Sequence, residues 1–223
     1  MKYKCLVLDH DDTIVNSTAA IHYPAFQETL KIVRPDFQLT LEDYFQYNFE
    51  PGFQSFCNDI LKLNQEEMAM QTQNWLNYVD HHIPQIYPGI DEILWEFKRQ
   101  GGYICVVSHS MKENILRDYR ENGLPTPDLI FGWDFPPHQR KPSSWPLEKI
   151  MSELHLSAWD LVMVDDLKPG KVMADKAGVD FIGVGWSHSV ENIQNEMKKQ
   201  CDYYCESVDE LKKIIFLEKS RNS

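Results

Sequence analysis

The stretch YKCLVLDHDDTIVNS, residues 3–17, decides the fold class that the sequence predicts. It leads from four apolar residues, CLVL at 5–8, directly into a group of three aspartates, Asp9, Asp11 and Asp12. Consecutive apolar residues are typical of a parallel strand that is covered on both faces. Carboxylates this close together repel one another, so a site that contains them needs a cation. We therefore expect a buried strand that delivers acids to a binding site at its end.

Four more short apolar runs follow, and helical patterns lie between them. The runs are YICVV at 103–107, LIF at 129–131, LVMV at 161–164 and FIGV at 181–184. The clearest helical patterns cover residues 91–99, 112–121 and 146–154. Strands that alternate with helices predict an α/β protein with a doubly wound, Rossmann-like parallel sheet.

Residues 17–85 interrupt this alternation. They contain several helical patterns and no convincing strand, and Asn64 is a plausible cap for a helix that starts at Gln65. We therefore predict a small helical cap over residues 17–85, inserted after the first strand. The predicted catalytic core consists of residues 1–16 and 86–223, with linkers near Asn16 and at IPQIYPGI, residues 83–90.

The composition is that of a globular protein with an acidic surface. The 223 residues include 34 acidic and 22 basic side chains, for a formal net charge of −12, and no basic stripe. Binding to nucleic acid or to an anionic membrane is therefore not expected. No segment approaches the roughly 20 apolar residues of a membrane span, and no signal peptide is recognisable, so we expect a cytoplasmic protein. The sequence leaves the oligomeric state open.

The five cysteines indicate a reducing compartment. Their number is odd, and Cys5 and Cys105 lie within predicted strands. Cys201 and Cys205 are separated by three residues, without a second pair or a nearby histidine, so a zinc site is not expected.

Polar residues follow three of the predicted strands and converge on one edge of the sheet. The first strand ends at Asp9, the second at Ser108 and the fourth at Asp165 and Asp166, while Lys141 lies in the loop before the fourth. Ligands of open parallel sheets bind at the carboxyl ends of the strands. Clustered carboxylates suit Mg²⁺, and a lysine balances the excess negative charge when a phosphate also binds. The chemistry that fits is phosphoryl transfer through an aspartyl phosphate, with a small phosphorylated metabolite as substrate.

The four segments together resemble the motifs of the haloacid dehalogenase superfamily, in its phosphoglycolate phosphatase-like branch. They are DHDDT at 9–13, VVSHS at 106–110, RKP at 140–142 and VMVDDLKPG at 162–170. All four occur in the order of the family, and the helical insert lies where the family carries its cap. The resemblance implies a Mg²⁺-dependent phosphatase that hydrolyses a small phosphomonoester.

The resemblance also implies catalytic roles. Asp9 would be the nucleophile and a metal ligand, and Asp11 would protonate the leaving group and then activate water. Lys141 would pair with the phosphate and keep Asp9 ionised. Thr13 and Ser108 would donate hydrogen bonds to the phosphoryl oxygens.

The remaining implied residues bind metal and substrate. Asp166 would ligate the metal directly, Asp165 would act through a bound water, and Asp11 would add its backbone carbonyl. His109 belongs to the substrate-binding set with the residues named above. A catalytic role for His10, His109 or His138 is less expected than that of a hydrogen-bonded neighbour.

Three positions depart from the family pattern. Asp12 stands where relatives usually have glycine, and Gly170 where many have a second acid. Ile21 occupies the position of the cap histidine of sugar phosphomutases, with His22 one residue later, which weakens the mutase alternative. Asp11 argues for phosphoryl chemistry and against metal-free dehalogenases.

Other interpretations stay open at this level. A mutase, a nucleotidase or a non-catalytic phosphate-binding protein could use the same core, although Asp11 would be useless for binding alone. A receiver domain carries its acidic pair on an earlier strand, so the order of motifs disfavours it. The aromatic residues of the insert mostly fit helix packing, with YNFEPGF at 47–53 as a candidate specificity loop. Arg34 and Glu50 are weak substrate-binding candidates, and GWSH at 185–188 could close the cleft.

Overall fold

The core of the protein is one twisted parallel sheet. The computed structural model describes residues 1–216. Six strands are arranged in the order β3-β2-β1-β4-β5-β6, and every neighbouring pair is parallel. They are β1 (Cys5–Leu8), β2 (Tyr103–Val107), β3 (Leu129–Phe131), β4 (Leu161–Asp165), β5 (Asp180–Val184) and β6 (Tyr203–Cys205). The predicted doubly wound α/β fold is confirmed.

All five strands predicted from the sequence are present, with ends that agree within one residue. The sixth strand, Tyr203–Cys205, was not predicted, because it has three residues of which only Cys205 is buried. Strand β1 lies in the middle of the sheet and pairs with β2 on one side and β4 on the other. Its carboxyl end is therefore the point where the strand order reverses, which is where such sheets bind ligands.

Ten α-helices accompany the strands within the described residues. They are α1 (Tyr23–Val33), α2 (Leu41–Tyr47), α3 (Phe53–Ser55), α4 (Gln65–His81), α5 (Ile90–Arg99), α6 (Lys112–Glu121), α7 (Trp145–Leu154), α8 (Lys168–Ala177), α9 (Glu191–Gln200) and α10 (Val208–Phe216). Shorter π-helical segments at Thr18–His22, Asn48–Gly52 and Phe56–Ile60 extend the helices of the insert. Within residues 1–216, no helix combines the length and the apolar character that crossing a membrane requires.

Strand side chains alternate between two hydrophobic layers. Leu6 and Leu8 of β1 pack with helices α5, α6 and α10, whereas Cys5 and Val7 pack with α7, α8 and α9. All four β1 side chains are at most 1% exposed. Burial on both faces explains why every position of this strand is apolar and why the first polar residue marks its end.

Helices α1 to α4 lie within residues 17–85, called the helical insert here, and have a hydrophobic cluster of their own. Phe26 and Leu30 of α1 pack there with Tyr44 and Phe56. The two connections to the sheet run side by side: the Asn16 N–H donates to the Gln85 carbonyl at 2.9 Å, and residues 15 and 86 form an antiparallel bridge. This pairing lies at the boundaries that the sequence predicts for the cap.

The insert also contacts the core. Phe45 of α2 belongs to the hydrophobic layer around α7, α8 and α9, and its ring lies 4.8 Å from that of His188. Lys168 at the start of α8 forms an ion pair with Glu50 of the insert at 3.2 Å. The insert is thereby held over the carboxyl edge of the sheet.

The buried cluster of the insert predicts a difference between two aliphatic residues of α1. Leu30 is 2% exposed, whereas Ile32 on the same helix is 65% exposed. We expect Leu30→Ala to lower the free energy of unfolding by about 2–5 kcal/mol. The control Ile32→Ala is expected to change it by no more than about 0.5 kcal/mol. Urea unfolding followed by circular dichroism measures both, and equal losses would contradict the packing described for the insert.

Candidate active site

A buried lysine joins two aspartates at the carboxyl ends of the central strands. Lys141 Nζ lies 2.8 Å from Asp9 Oδ1 and 2.8 Å from Asp165 Oδ2. Asp9 directly follows β1, and Asp165 is the last residue of the neighbouring strand β4. None of the three residues is more than 7% exposed. The ammonium group thus compensates two carboxylates that the sheet register brings together.

Asp166 completes a cluster of three acids. One carboxylate oxygen each from Asp9, Asp165 and Asp166 lies within 4.8 Å of the others. Asp166 Oδ1 is buried and has no hydrogen-bond partner among residues 1–216. Buried carboxylate oxygens are normally satisfied, and oxygen ligands are those that Mg²⁺ prefers. The donor set and the unsatisfied oxygen therefore fit a divalent cation.

The electrostatics of this cluster reflect its burial. Desolvation raises the pKa of Asp165 to about 7, with a further contribution from the charge of Asp9, although Lys141 acts in the opposite direction. Desolvation, Asp165 and Asp9 raise the pKa of Asp166 well above its usual value. Burial alone would lower the pKa of Lys141, but Asp165 and Asp9 raise it overall. The site is thus short of positive charge.

Asp11 lies beside this cluster and is held by groups from two other segments. Ser110 Oγ donates to Asp11 Oδ2 at 2.6 Å, and Ser108 Oγ lies 3.3 Å from the same oxygen. His22 Nε2 lies 3.3 Å from Asp11 Oδ1, and the Trp75 indole N–H donates to His22 Nδ1 at 2.9 Å. The indole is only a donor, so Nδ1 carries no proton and the ring proton belongs to Nε2, which faces Asp11.

These contacts stabilise the ionised form of Asp11. Burial raises the pKa of Asp11, but the hydrogen bonds from His22 and Ser110 act in the opposite direction, and the pKa lies well below its usual range. The insert and the loop after β2 therefore both act on the carboxylate that follows β1.

One cavity of about 210 Å³ opens between the carboxyl edge of the sheet and the insert. Asp9, Asp11, Lys141 and Asp166 line it on the side of the sheet, together with His109. The other lining residues are Asp12, Thr18, His22, Phe45, Asn48, Leu167, Pro169, His188 and Ile193. A wider surface groove between α5 and α10 contains none of the predicted site residues.

The remaining predicted site residues occupy different environments. His109 lines the cavity and its Nε2 lies 3.3 Å from the Lys141 carbonyl. Ser108 is 2% exposed, accepts the Ser110 N–H at 3.0 Å and is not among the residues that line the cavity. Thr13 is fully buried and is not among the residues that line the cavity, and its Oγ1 has no hydrogen-bond partner among residues 1–216. Their predicted contacts with phosphoryl oxygens stay predictions.

Two departures from the family pattern have local structural explanations. Asp12 has a φ of 56°, in the left-handed region where glycine is favoured and aspartate is tolerated, and its Oδ1 accepts the Thr18 N–H at 3.1 Å. A Cβ at Gly170 would overlap with Asp165 Oδ2. Glycine at 170 is therefore what leaves room for the Asp165 side chain in its present position.

Two residues of the site were not predicted, and two histidines near the motifs lie elsewhere. Ser110 and His22 both contact Asp11, and the sequence offered only their proximity to motifs as a signal. His10 is buried, lies 3.1 Å from Asp118 Oδ2 and stacks on Tyr119. His138 is on the surface. Arg34, a weak substrate-binding candidate, pairs with Glu67 at 2.8 Å inside the insert.

Comparison with known families agrees with the geometry. The model of the haloacid dehalogenase-like hydrolases matches residues 6–184, which include all four motifs. The chain belongs to this family. As a member it is a hydrolase, and its DHDDT motif, residues 9–13, directly follows β1.

Individual relatives are distant but extend over almost the entire chain. A phosphoglycolate phosphatase of Vibrio cholerae is 22% identical over 96% of this chain and 97% of its own length. The crystal structure of a predicted phosphoglycolate phosphatase from Haemophilus somnus has a TM-score of 0.74 at 19% identity and covers 96% of this chain and 99% of its own. CbbY from Rhodobacter sphaeroides in complex with phosphate has a TM-score of 0.68 at 20% identity, covering 92% and 94%. At this identity the solved structures show the shared fold.

The raised pKa values of Asp165 and Asp166 predict pH-dependent stabilisation by Mg²⁺. In the metal-free protein, the contribution of Asp165 to stability falls as pH rises from about 4 to about 7, because its pKa is about 7 in the fold and lower in the unfolded chain. A cation requires the ionised acids, so binding at low pH releases protons. We expect excess Mg²⁺ to raise the melting temperature more at pH 8 than at pH 6.

The matched controls are two aspartate-to-asparagine variants. Asp166→Asn removes one proposed ligand and is expected to abolish the Mg²⁺-dependent rise. Asp202 is exposed and distant in sequence from the cluster, so Asp202→Asn is expected to keep it. A rise in melting temperature that is equal at both pH values, or one that survives in Asp166→Asn, would contradict the assignment of this cluster.

Proposed function

We propose that the protein is a Mg²⁺-dependent phosphatase that hydrolyses small phosphomonoesters through an aspartyl phosphate on Asp9. The observation that carries this proposal is the convergence of Asp9, Asp11, Lys141 and Asp166 on one cavity at the carboxyl end of the central strand. The names of two distant relatives, one a phosphoglycolate phosphatase and the other a predicted phosphoglycolate phosphatase, support the same reaction class.

In the first half of the reaction, an Asp9 carboxylate oxygen attacks phosphorus and the ester P–O bond breaks. Asp11 donates a proton to the departing alkoxide oxygen, so the product leaves as a neutral alcohol. The surroundings of Asp11 favour its ionised form in the free protein. The negative charge of an entering phosphate acts in the opposite direction and favours the protonated acid that this step requires.

In the second half, the Asp11 carboxylate takes a proton from water as the water oxygen attacks phosphorus. The bond between phosphorus and Asp9 breaks, which releases inorganic phosphate and regenerates both carboxyl groups. Splitting the hydrolysis into two displacements lets one side chain serve first as acid and then as base.

The carboxylates of Asp9 and Asp166 would hold Mg²⁺ directly and Asp165 through a water, in accord with the position of Asp165 against Lys141. When bound, the cation neutralises negative charge on the phosphoryl group and the nucleophile. Lys141 supplies the remaining positive charge from its position 2.8 Å from Asp9.

The helical insert, residues 17–85, would act as a cap on the core domain, which consists of residues 1–16 and 86–223. Its two connections run side by side at residues 15–16 and 85–86, an arrangement that suits hinge motion. A cap in the position of the insert would exclude bulk water from the aspartyl phosphate.

The nucleophile assignment predicts that Asp9→Asn abolishes turnover. Phosphate release with Mg²⁺ from a panel of small phosphomonoesters is expected to fall by at least about a hundredfold, while Asp202→Asn retains it. Acid quenching of the wild type during turnover, followed by peptide mass spectrometry, is expected to find one phosphoryl group on Asp9. Equal turnover of Asp9→Asn and wild type would reject the mechanism, and a wild type inactive on the panel would reject the phosphatase proposal.

A sugar phosphomutase is the second candidate, because His22 contacts Asp11 although it lies one residue beyond the position expected for mutases. The two activities differ in their products. A phosphatase converts a sugar phosphate into inorganic phosphate and free sugar, whereas a mutase yields an isomeric sugar phosphate. Phosphorus NMR of the reaction mixture distinguishes them directly.

The Trp75 indole contacts His22, and His22 contacts Asp11. These two hydrogen bonds predict that Trp75 positions the catalytic acid without contacting it. In Trp75→Phe the His22 ring loses the hydrogen bond that fixes its protonated nitrogen toward Asp11. We expect kcat to fall by about tenfold with little change in KM. Trp95 is 52% exposed on α5, so Trp95→Phe serves as the control.

Steady-state kinetics on the best substrate of the panel, with a pH profile of kcat for each variant, make this comparison. A Trp75→Phe variant that matches Trp95→Phe in kcat and in its pH profile would remove the positioning role. A lower melting temperature together with a raised KM would instead indicate a purely structural contribution of Trp75.

A further inference from the structure

The part of the cavity that would receive the leaving group is formed by the insert and by the connection after β5. Under the proposed function, Asp9, Asp11, Lys141 and Asp166 serve the phosphoryl group and the cation. The insert and the connection contribute the lining residues Thr18, His22, Phe45, Asn48, His188 and Ile193. Neither lysine nor arginine occurs among these six side chains. A leaving group would therefore meet hydroxyl, amide, imidazole and apolar groups.

The charge of the whole cavity is unfavourable for a second anion. Among the described residues that line it, four are aspartates and Lys141 is the single lysine or arginine. Lys141 already lies 2.8 Å from each of two carboxylates. An anion on the leaving group would thus find no uncompensated cation, and like charges placed close together are strongly disfavoured.

The lysine that adjoins the cavity lining in sequence is also engaged by other carboxylates. Lys168 lies between two lining residues in sequence, but its Nζ contacts Glu196 at 2.7 Å and Glu50 at 3.2 Å. The ammonium group also lies 4.3 Å from the centre of the Phe49 ring. Lys168 therefore fastens the insert to the core and already has two carboxylate partners.

His188 and Asn48 supply uncharged hydrogen-bonding groups. The Val190 N–H donates to His188 Nδ1 at 3.2 Å, and burial lowers the pKa of His188 to about 4. The ring is therefore neutral at pH 7, with its proton on Nε2. Asn48 Nδ2 donates to the Tyr44 carbonyl at 2.7 Å, which orients the amide. A neutral N–H donor and an amide suit the hydroxyl groups of a polyol.

The size of the cavity limits the leaving group further. Its volume of about 210 Å³ is below the roughly 300–1,000 Å³ of pockets that hold drug-sized ligands. A nucleoside would not fit beside a phosphoryl group. The nucleotidase alternative is therefore disfavoured by the cavity in this arrangement of insert and core.

We propose that the substrates are phosphomonoesters of small, uncharged polyols, that carboxylate-bearing leaving groups such as glycolate are rejected, and that Asn48 and His188 set this preference. The proposal rests on the phosphatase function proposed above and specifies its substrate class. The distant relatives named as phosphoglycolate phosphatases share at most 22% of their residues with this chain. Their substrate would place a carboxylate among side chains that offer it no cation.

Two pairs of phosphomonoesters test the preference, because each pair differs only in a carboxylate. The pairs are 2-hydroxyethyl phosphate with phosphoglycolate, and glycerol 1-phosphate with 3-phosphoglycerate. We expect kcat/KM with Mg²⁺ at pH 7 to be at least tenfold higher for the member of each pair whose leaving group is uncharged. Equal values, or a preference for the carboxylate, would overturn this proposal and leave the phosphatase function standing. No phosphate release from any of the four, or from the wider panel, would reject both.

A cation placed in the cavity should change the preference. Asn48→Lys is expected to shift the ratio of kcat/KM within each pair toward the carboxylate by at least tenfold. Asn58 lies on the exposed surface of the insert and outside the cavity, so Asn58→Lys is the matched control and is expected to keep the wild-type ratio. Equal ratios in the two variants would overturn the assignment of Asn48.

A second, nearly isosteric variant covers the case in which Asn48→Lys fails to fold. Asn48→Asp adds negative charge at the same place. It is expected to lower kcat/KM for the substrates with a carboxylate leaving group at least threefold more than for those with an uncharged leaving group. An equal loss for both members of each pair would contradict the proposal.

Discussion

The interaction on which the site depends is the contact of one buried ammonium group with two buried carboxylates. The parallel register pairs Leu8 with Val164, so the next residues along the two strands, Asp9 and Asp165, emerge side by side. Two adjacent carboxylates in a site that is nearly closed to solvent would repel and would be desolvated without compensation. Lys141, 2.8 Å from each, makes this arrangement tolerable. It does so incompletely, since the pKa of Asp165 still rises to about 7.

The remaining deficit of positive charge favours the binding of the cation that the proposed phosphatase reaction requires. A third acid, Asp166, adjoins the pair and has an oxygen without a partner among residues 1–216. The three ionised acids and the one lysine carry a net charge of about −2, which a divalent cation would neutralise. The core thus concentrates charged groups at the end of β1. The lining residues that the insert supplies are a threonine, a histidine, a phenylalanine and an asparagine, none of them with a permanent charge.

The sequence was sufficient to predict the core because local patterns and spatial positions coincide there. An apolar run followed by an acid marks the end of a buried strand, and the edge of a parallel sheet brings such ends together. Five strands and the positions of Asp9, Lys141 and Asp166 around one cavity followed from this logic. The contacts of Asp11 with His22 and Ser110 did not, because they depend on how the insert docks and on the rotamer of a loop residue. The strand Tyr203–Cys205 was missed because three residues with one buried side chain give no periodic signal.

A second polar network connects the insert with the acidic loop, in addition to the contacts of Trp75 with His22 and of His22 with Asp11. His10, between the two proposed catalytic aspartates, contacts Asp118 of α6 at 3.1 Å. Arg117 pairs with Asp118 and also donates to the carbonyls of Val79 and His82, at the end of α4. The same helix carries Trp75, which orients His22 against Asp11. A displacement of α4 would therefore act on the loop after β1 through both routes, so the position of the insert and the geometry of the proposed acid are coupled.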